Sequence, residues 1–219
     1  LDLLINGDSG AGAVSKLFTN SNGEFTDSGI TFDGLMAGTA DFVDFNNDGN
    51  LDVCLTGFDD ALEAQFHLWK NMEGGKFFER FYPGIEGVAL SSVDWGDYDN
   101  DGDLDVITSG NGTGCGVVIS GIYRNEGAYF VKAVNDFTTG IRCSVQWADF
   151  ENDGDLDFLI SGWDYYENPF TKIYRNAMGS NEFTSNTSPE VPNGLMIEQN
   201  GGDVSFYWDH SSDSETPQS

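Results

Sequence analysis

Three short segments of the chain hold carboxylates at a spacing that suits a hard divalent cation. They read DFNNDGNLD over 44–52, DYDNDGDLD over 97–105 and DFENDGDLD over 149–157. Calcium takes about six to eight oxygen ligands at about 2.3–2.6 Å, and a tight loop can point alternate side chains inward to supply them. The glycine at the sixth position permits the sharp turn that closes such a loop. We therefore expect three calcium sites.

The predicted ligands in each loop are the side chains at positions 1, 3, 5 and 9 and the backbone carbonyl at position 7. These sets are Asp44, Asn46, Asp48, Asn50 and Asp52; Asp97, Asp99, Asp101, Asp103 and Asp105; and Asp149, Glu151, Asp153, Asp155 and Asp157. Without a cation, neighbouring carboxylates would repel one another. The alternative interpretation, solvated turns rich in acidic residues, does not explain why one spacing occurs three times. Glu151 is one methylene longer than Asp, so we expect the third site to be the weakest.

Other kinds of metal or catalytic site fit the sequence less well. An EF-hand needs Glu at position 12 of the loop, where this chain has Leu55, Thr108 and Ile160 in apolar stretches. Catalytic metals need an open coordination position with polar chemistry nearby, and the sequence indicates neither. The two histidines lack an accompanying Ser or Cys motif, and we expect His67 to be a surface strand residue. We therefore expect a structural ion and no enzyme, with a glycosidase-like carboxylate pair as the remaining catalytic alternative.

The loops belong to a repeat, because their starts are 53 and 52 residues apart. A second block follows each loop, reading HLWKNMEGGKFF from His67, GIYRNEGAYF from Gly121 and KIYRNAMGSNEF from Lys172. The same block occurs as KLFTNSNGEF from Lys16, preceded by LDLLING at 1–7. Leu1-Asp2 thus matches Leu51-Asp52, and we expect the chain to begin inside a fourth copy and to be part of a longer protein.

Each unit of about 50 residues is expected to form four short strands. Runs such as DVITS and DFLIS are apolar or alternating and are bounded by Gly, Asn and Asp. No window has a sustained helical period of 3.6 residues. The predicted fold is all-β, with four-stranded antiparallel sheets arranged radially as propeller blades, and each carboxylate loop joins the first two strands of a blade. Aromatic residues at matched positions should pack between blades: Trp69, Trp95, Trp147, Tyr123 and Tyr174.

The composition narrows the class of partner. The chain has 37 Asp and Glu against 9 Lys and Arg, a net charge of −28, which disfavours nucleic acid and anionic lipid. No stretch is apolar enough for a signal peptide or a membrane span. The three cysteines do not form a disulfide framework. Cys54 aligns with apolar strand residues and should be buried, whereas a disulfide between Cys115 and Cys143 remains open.

The units VDWGDYDNDGDLDVITSG and QWADFENDGDLDFLISGW resemble FG-GAP/VCBS repeats, the blades of integrin-α-like seven-bladed propellers. The resemblance covers residues 1–187 and implies about three and a half blades of such a ring. It implies calcium on one face and ligands on the opposite face. A variable loop on that opposite face holds Trp163, Tyr165 and Tyr166, which could contact carbohydrate or protein, with partial burial in the core as the alternative. The implied function is a non-catalytic calcium-binding module of a secreted or cell-surface multidomain protein, mediating adhesion or binding of protein or carbohydrate. Alternatives are the scaffold of an extracellular polysaccharide-degrading enzyme and a structural subunit of a large surface assembly.

Residues 188–219 differ from the repeats in character. They contain the closely spaced Pro189 and Pro192, an alternating apolar stretch and Trp208. This segment resembles the opening of a fibronectin type III module, and a linker or a strand of the last blade is the alternative.

Overall fold

The computed structural model describes residues 2–72, 74–76, 78–114, 116–134, 137–164, 166, 168–177, 182–185, 196–200 and 203–207. All regular structure in these residues is β-strand, which confirms the all-β prediction. Nothing in the same residues forms a helix capable of crossing a membrane.

The strands of the described residues form five antiparallel sheets. The first sheet contains β1 (Leu3–Asp8), β2 (Ala13–Ser21) and β3 (Glu24–Asp27). The second contains β4 (Ala40–Val43), β5 (Asp52–Phe58), β6 (Ala64–Asn71) and β7 (Phe78–Phe81). The third contains β8 (Ala89–Gly96), β9 (Asp105–Asn111), β10 (Val118–Asn125) and β11 (Phe130–Val134). The fourth contains β12 (Ile141–Ala148), β13 (Asp157–Trp163), β14 (Pro169–Ala177) and β15 (Glu182–Ser185), and β16 (Met196–Asn200) pairs with β17 (Asp203–Tyr207).

The second, third and fourth sheets share one arrangement, in which each strand pairs with the next along the chain. This is the four-stranded pattern expected of propeller blades. The three strands of the first sheet correspond to the last three of the others: Asp2 accepts a hydrogen bond from the Asn20 amide at 2.9 Å, as Asp52 does from the Asn71 amide at 2.7 Å. The β16–β17 hairpin is the described part of residues 188–219, so the predicted fibronectin type III-like module stays a prediction.

Apolar strands at the centre of the second and third sheets are covered on both faces. Strands β5 and β9 are buried along almost their whole length, as expected for short, nearly continuous apolar runs. Cys54 lies in this core and is fully buried, as predicted. The buried Tyr123, Trp147 and Tyr174 confirm that the matched aromatic positions pack in the core. Cys143 is buried in β12, whereas Cys115 lies outside the described residues, so the disulfide remains untested.

The segments that connect successive sheets pass very close to the preceding sheet. A Cβ atom on Gly87 would lie 2.0 Å from the Ala64 carbonyl oxygen, and one on Gly34 would lie 2.1 Å from that of Ala13. Ala64 is the first residue of β6, and Ala13 is the first residue of β2. These two strands are equivalent, because β2 corresponds to the third strand of the four-stranded sheets. Only glycine allows this approach, so the connection is fixed in the same way twice.

The prediction that His67 is a surface residue is wrong. The side chain, in strand β6, is 6% exposed, and its Nδ1 lies 3.4 Å from Asp33 Oδ2. Asp33 belongs to the segment between β3 and β4 and also binds Arg80 Nη1 at 2.6 Å. Burial, followed by the charge of Arg80, lowers the pKa of His67 to about 4. Strand periodicity could not reveal this burial, because the covering residue comes from the segment that connects the first sheet to the second.

Candidate metal centre

The three carboxylate loops occupy equivalent places. Residues 44–51 join β4 to β5, 97–104 join β8 to β9, and 149–156 join β12 to β13. Each therefore joins the first two strands of its sheet, as the sequence predicts. We call this the carboxylate-loop end of the sheets. The connections between second and third strands (59–63, 112–117 and 164–168) lie at the other end of each sheet, which we call the variable end.

The first aspartate of each loop closes it. Asp44 accepts hydrogen bonds from the backbone amides of Asp48 at 3.0 Å and Gly49 at 2.9 Å. Asp97 and Asp149 make the equivalent bonds in the other two loops. The turn needs two left-handed residues, which in the first loop are Asn47 at φ 55° and Gly49 at φ 84°. Asn and Gly tolerate this region better than other residues, so the Asn-Asp-Gly sequence fits the turn.

The second loop has the most compact carboxylate cluster among the described residues. Oxygens of Asp97, Asp99 and Asp105 lie within 4.8 Å of one another. Asp99 Oδ1 is buried without a hydrogen-bond partner. Burial is the main reason that the pKa of Asp105 rises to about 7, and Asp99 and Asp101 raise it further. Three carboxylates so close together could supply the oxygen donors that a hard cation prefers.

Each of the other two loops also contains a buried carboxylate oxygen without a partner. Asp52 Oδ1 and Asp157 Oδ1 accept hydrogen bonds at 2.7 Å from the backbone amides of Asn71 and Asn176, and the more weakly placed amides of Phe45 and Phe150 also lower the pKa values of these carboxylates. Their Oδ2 atoms are buried and have no partner. Burial raises the pKa of Asp52 to about 6 and also raises that of Asp157. Buried polar atoms are normally paired, so these oxygens fit a ligand that is itself a cation.

Each loop has one basic neighbour at an equivalent position. Lys70 Nζ lies 4.0 Å from Asp48, Arg124 Nε lies 4.0 Å from Asp99, and Arg175 Nη2 lies 2.5 Å from Glu151. The close ion pair occupies an oxygen of Glu151, the one non-Asp, non-Asn residue at position 3. This is a second physical reason to expect the weakest binding at the third loop.

Sequence reasoning missed a set of asparagines that join the loops to one another. Asn47, at position 4 of the first loop, donates to Gly102 O at 3.0 Å and to Asp103 Oδ1 at 2.9 Å in the second. Asn100 repeats the bond to Asp155 Oδ1 of the third loop at 3.0 Å. The signal was available, because position 4 is Asn in all three copies, but a ligand pattern treats it as unspecified.

A second asparagine, at the end of each third strand, ties the loop to the next sheet. Asn125 Nδ2 donates to Phe45 O at 2.8 Å in the first loop and to Leu104 O at 3.1 Å in the second. Asn176 Nδ2 donates to Tyr98 O at 2.8 Å. The residue at position 2 of one loop is thus held by the sheet that follows.

The aromatic side chains at position 2 differ between loops. Phe45 is 2% exposed and its ring centroid lies 5.0 Å from that of Phe81. Tyr98 is also buried and stacks on Trp147 at 5.9 Å. Phe150 is 38% exposed, with Arg175 lying 5.8 Å from its ring centroid.

At the variable end, the structure exposes two of the three aromatics proposed as ligand contacts. Trp163, the last residue of β13, is 45% exposed, and Tyr166 is 81% exposed. Tyr165 lies outside the described residues. Asp164 Oδ1 stabilises the turn of this connection, because it accepts hydrogen bonds from the backbone amides of Tyr166 and Asn168, both at 2.8 Å.

Comparison with known proteins supports the repeat. Residues 44–108 match the family described as FG-GAP-like repeat, a span that runs from the first carboxylate loop into strand β9. No curated protein and no solved structure matches the chain. FG-GAP repeats are typical of extracellular proteins. The chain thus contains an FG-GAP-like repeat within a series of sheets of the propeller-blade type.

Proposed function

We propose that the chain is a calcium-stabilised, non-catalytic propeller module of a secreted or cell-surface multidomain protein, which binds a protein or carbohydrate ligand. The observation that carries this proposal is the buried carboxylate oxygen without a partner in each loop: Asp52 Oδ2, Asp99 Oδ1 and Asp157 Oδ2. An unpaired buried carboxylate is costly, and a bound cation removes that cost. Three loops of one design make three such sites.

The proposed role of calcium is structural. Each loop holds the ends of two strands, and Asn47 and Asn100 join each loop to the next. An ion that fixes one loop therefore also orients the acceptors used by its neighbour. For affinities of about 10⁻⁴–10⁻³ M, as in extracellular modules, about 1 mM calcium would add on the order of 0.5–1.5 kcal/mol per site.

Ligand recognition is assigned to the variable end. The carboxylate-loop end repeats one construction, and its polar atoms already serve the loops and their ions. The three connections at the other end differ in sequence, and the last of them exposes Trp163 and Tyr166. Exposed aromatics suit both protein and carbohydrate contacts, because they offer a large rigid surface.

Calcium titration calorimetry on the whole chain tests the proposal. We expect three equivalents of calcium, with the weakest site lost on Asp149→Asn and a stronger site lost on Asp44→Asn or Asp97→Asn. Asp164→Asn is the matched control, because Asp164 also closes a turn through two backbone amides but lies at the variable end. Fewer than one equivalent bound at millimolar calcium, or an equal loss with Asp164→Asn, would refute the proposal.

A further inference from the structure

The first and second carboxylate loops are joined by a side chain that is not a proposed ligand. Asn47 lies between Asn46 and Asp48, which are both proposed ligands of the first site. Its Nδ2 group donates to two acceptors in the second loop, Gly102 O at 3.0 Å and Asp103 Oδ1 at 2.9 Å. Asp103 also supplies a proposed ligand of the second site through its backbone carbonyl. One asparagine thus connects the ligand-bearing backbones of two sites.

A second connection between these loops runs through the third sheet. Asp105, the proposed ligand at position 9 of the second loop, accepts a hydrogen bond from the Asn125 backbone amide at 2.8 Å. The Asn125 side chain donates to Phe45 O in the first loop at 2.8 Å and to Leu104 O in the second at 3.1 Å. Phe45 lies between the proposed ligands at positions 1 and 3. Because Asn125 is only 2% exposed, water cannot easily replace these bonds.

The second and third loops are joined in the same way, but less tightly. Asn100 donates to Asp155 Oδ1 at 3.0 Å and to Gly154 O at 3.5 Å. Asn176 Nδ2 donates to Tyr98 O at 2.8 Å. The bond to the glycine carbonyl is 3.5 Å here, against 3.0 Å between the first and second loops. The link between the second and third loops is therefore the weaker of the two.

Order in one loop helps to order the next. Asn47 is left-handed, with φ at 55°, and the turn around it carries two proposed ligands of the first site. When the second loop binds an ion, its backbone becomes ordered and the acceptors for Asn47 are held in place. The first loop then loses less conformational entropy on binding its own ion, so its affinity rises. The effect is reciprocal, because two coupled sites change each other's affinity by the same factor.

We propose that the three sites bind calcium with positive cooperativity, and that Asn47 and Asn125 are the positioning residues that couple the first two sites. This inference rests on the proposed calcium sites and adds how their loading is regulated. The second loop is joined to both neighbours and raises the affinity of each, more strongly for the first loop than for the third. The sheets that carry the loops are then fastened to one another over a narrow range of calcium concentration.

A nitrogen-15 NMR titration of the whole chain with calcium measures each site separately. The backbone amides of Gly49, Gly102 and Gly154 each donate to the first aspartate of their own loop, so each signal reports on one site. We expect steep titration curves with a Hill coefficient above about 1. In Asp97→Asn, which removes the second site, the first site should bind calcium at least about fivefold more weakly, and the third site should be weakened by a smaller factor.

Asn47→Gly is the variant that isolates the link between the first two loops. Glycine adopts a φ of 55° without strain, so this change removes the side chain and keeps the turn. The matched control is Asn152→Gly, because Asn152 has the same loop position and a φ of 57°. In the Asn47→Gly background, the factor by which Asp97→Asn weakens the first site should be at least about twofold smaller than in the wild-type background. In the Asn152→Gly background, that factor should be unchanged.

Three outcomes would overturn the inference, and they are distinguishable. A first site that Asp97→Asn leaves unaffected would mean that the sites fill independently, and the proposed function would stand. An equal factor in the wild-type and Asn47→Gly backgrounds would mean that the coupling does not pass through Asn47. If none of the three glycine signals saturated at millimolar calcium, the proposed function and the cooperativity would both fail.

Discussion

The two ends of the sheets differ in how closely their connections repeat one another. At the carboxylate-loop end, three connections of equal length share their turn, their closing aspartate and their buried oxygens. At the variable end, Asp59 orders residues 59–63, Asp164 orders 164–168, and a Gly112–Val117 backbone bond closes 112–117. One end is constrained because the second and third loops each supply acceptors to the loop before them. The variable end also has bonds between sheets, from Ala13 N to Asp60 Oδ1 and from Ala64 N to Thr113 Oγ1. Its connections nevertheless do not repeat one sequence, and loops of this kind tolerate variation.

The largest expected effect on the free energy of unfolding comes from position 2 of the carboxylate loops, where the aromatic side chain is buried in one loop and exposed in another. Phe45→Ala should lower the free energy of unfolding by about 3–5 kcal/mol, because it leaves a cavity between two sheets. Phe150→Ala, at the same loop position but exposed, should cost less than about 1 kcal/mol. Urea unfolding of both variants in saturating calcium measures the difference. Similar costs for the two would mean that the aromatic acts within its own loop and not between sheets.

The next effect concerns the connecting segments that leave the variable end. His67 has a folded-state pKa of about 4, below the 6.5 of a free histidine. The unfolded chain therefore takes up a proton as the pH falls from 6.5 to 4, whereas the folded chain does not. Stability from this group is fully present above pH 6.5 and is lost through that window, on the order of 2 kcal/mol. The charged groups that act on the ring are Arg80, Asp33 and Asp59.

His67→Gln is the comparison that isolates this titration, since it keeps a polar side chain that does not ionise. The difference in unfolding free energy between wild type and His67→Gln should shrink as the pH falls from 6.5 to 4. Carboxylates common to both proteins cancel in that difference. A difference that stays constant across the window would show that His67 is protonated, or exposed, in the folded state.

A smaller effect measures the link between loops. Asn47 and Asn152 occupy the same loop position with φ values of 55° and 57°. Asn47 donates to the second loop, whereas the hydrogen bonds of the described residues include none from the Asn152 side chain. Substitution by Ala imposes the same backbone strain at both positions, so the excess cost of Asn47→Ala, about 1 kcal/mol, is the energy of the link. Equal costs in thermal unfolding would mean that the bridge is energetically neutral.

The sequence predicts what depends on local spacing. Loop bounds, the closing glycine and the four-strand unit follow from the repeat, and Asp44 and Asp97 lie where the pattern places them. Contacts between sheets are not predictable in this way. The burial of His67 depends on Asp33, and the bond from Asn125 reaches back to Phe45, 80 residues earlier. Periodicity carries no signal for such long-range pairs. The asparagine at position 4 of every loop was nevertheless visible in the sequence, and in the first two loops it donates a hydrogen bond to the next loop.

The smallest effect on stability should accompany the largest effect on recognition. Trp163→Ala and Tyr166→Ala should each change the free energy of unfolding by less than about 0.5–1 kcal/mol, because both side chains are exposed. Binding to a ligand from a panel of polysaccharides and extracellular proteins should nevertheless fall at least about tenfold, since exposed aromatics dominate such contacts. Tyr129→Ala, an exposed aromatic in the turn between β10 and β11 at the carboxylate-loop end, is the control. If Tyr129→Ala weakened binding and the two variable-end variants did not, recognition would belong to the carboxylate-loop end, and the assignment of the two ends would have to be reversed.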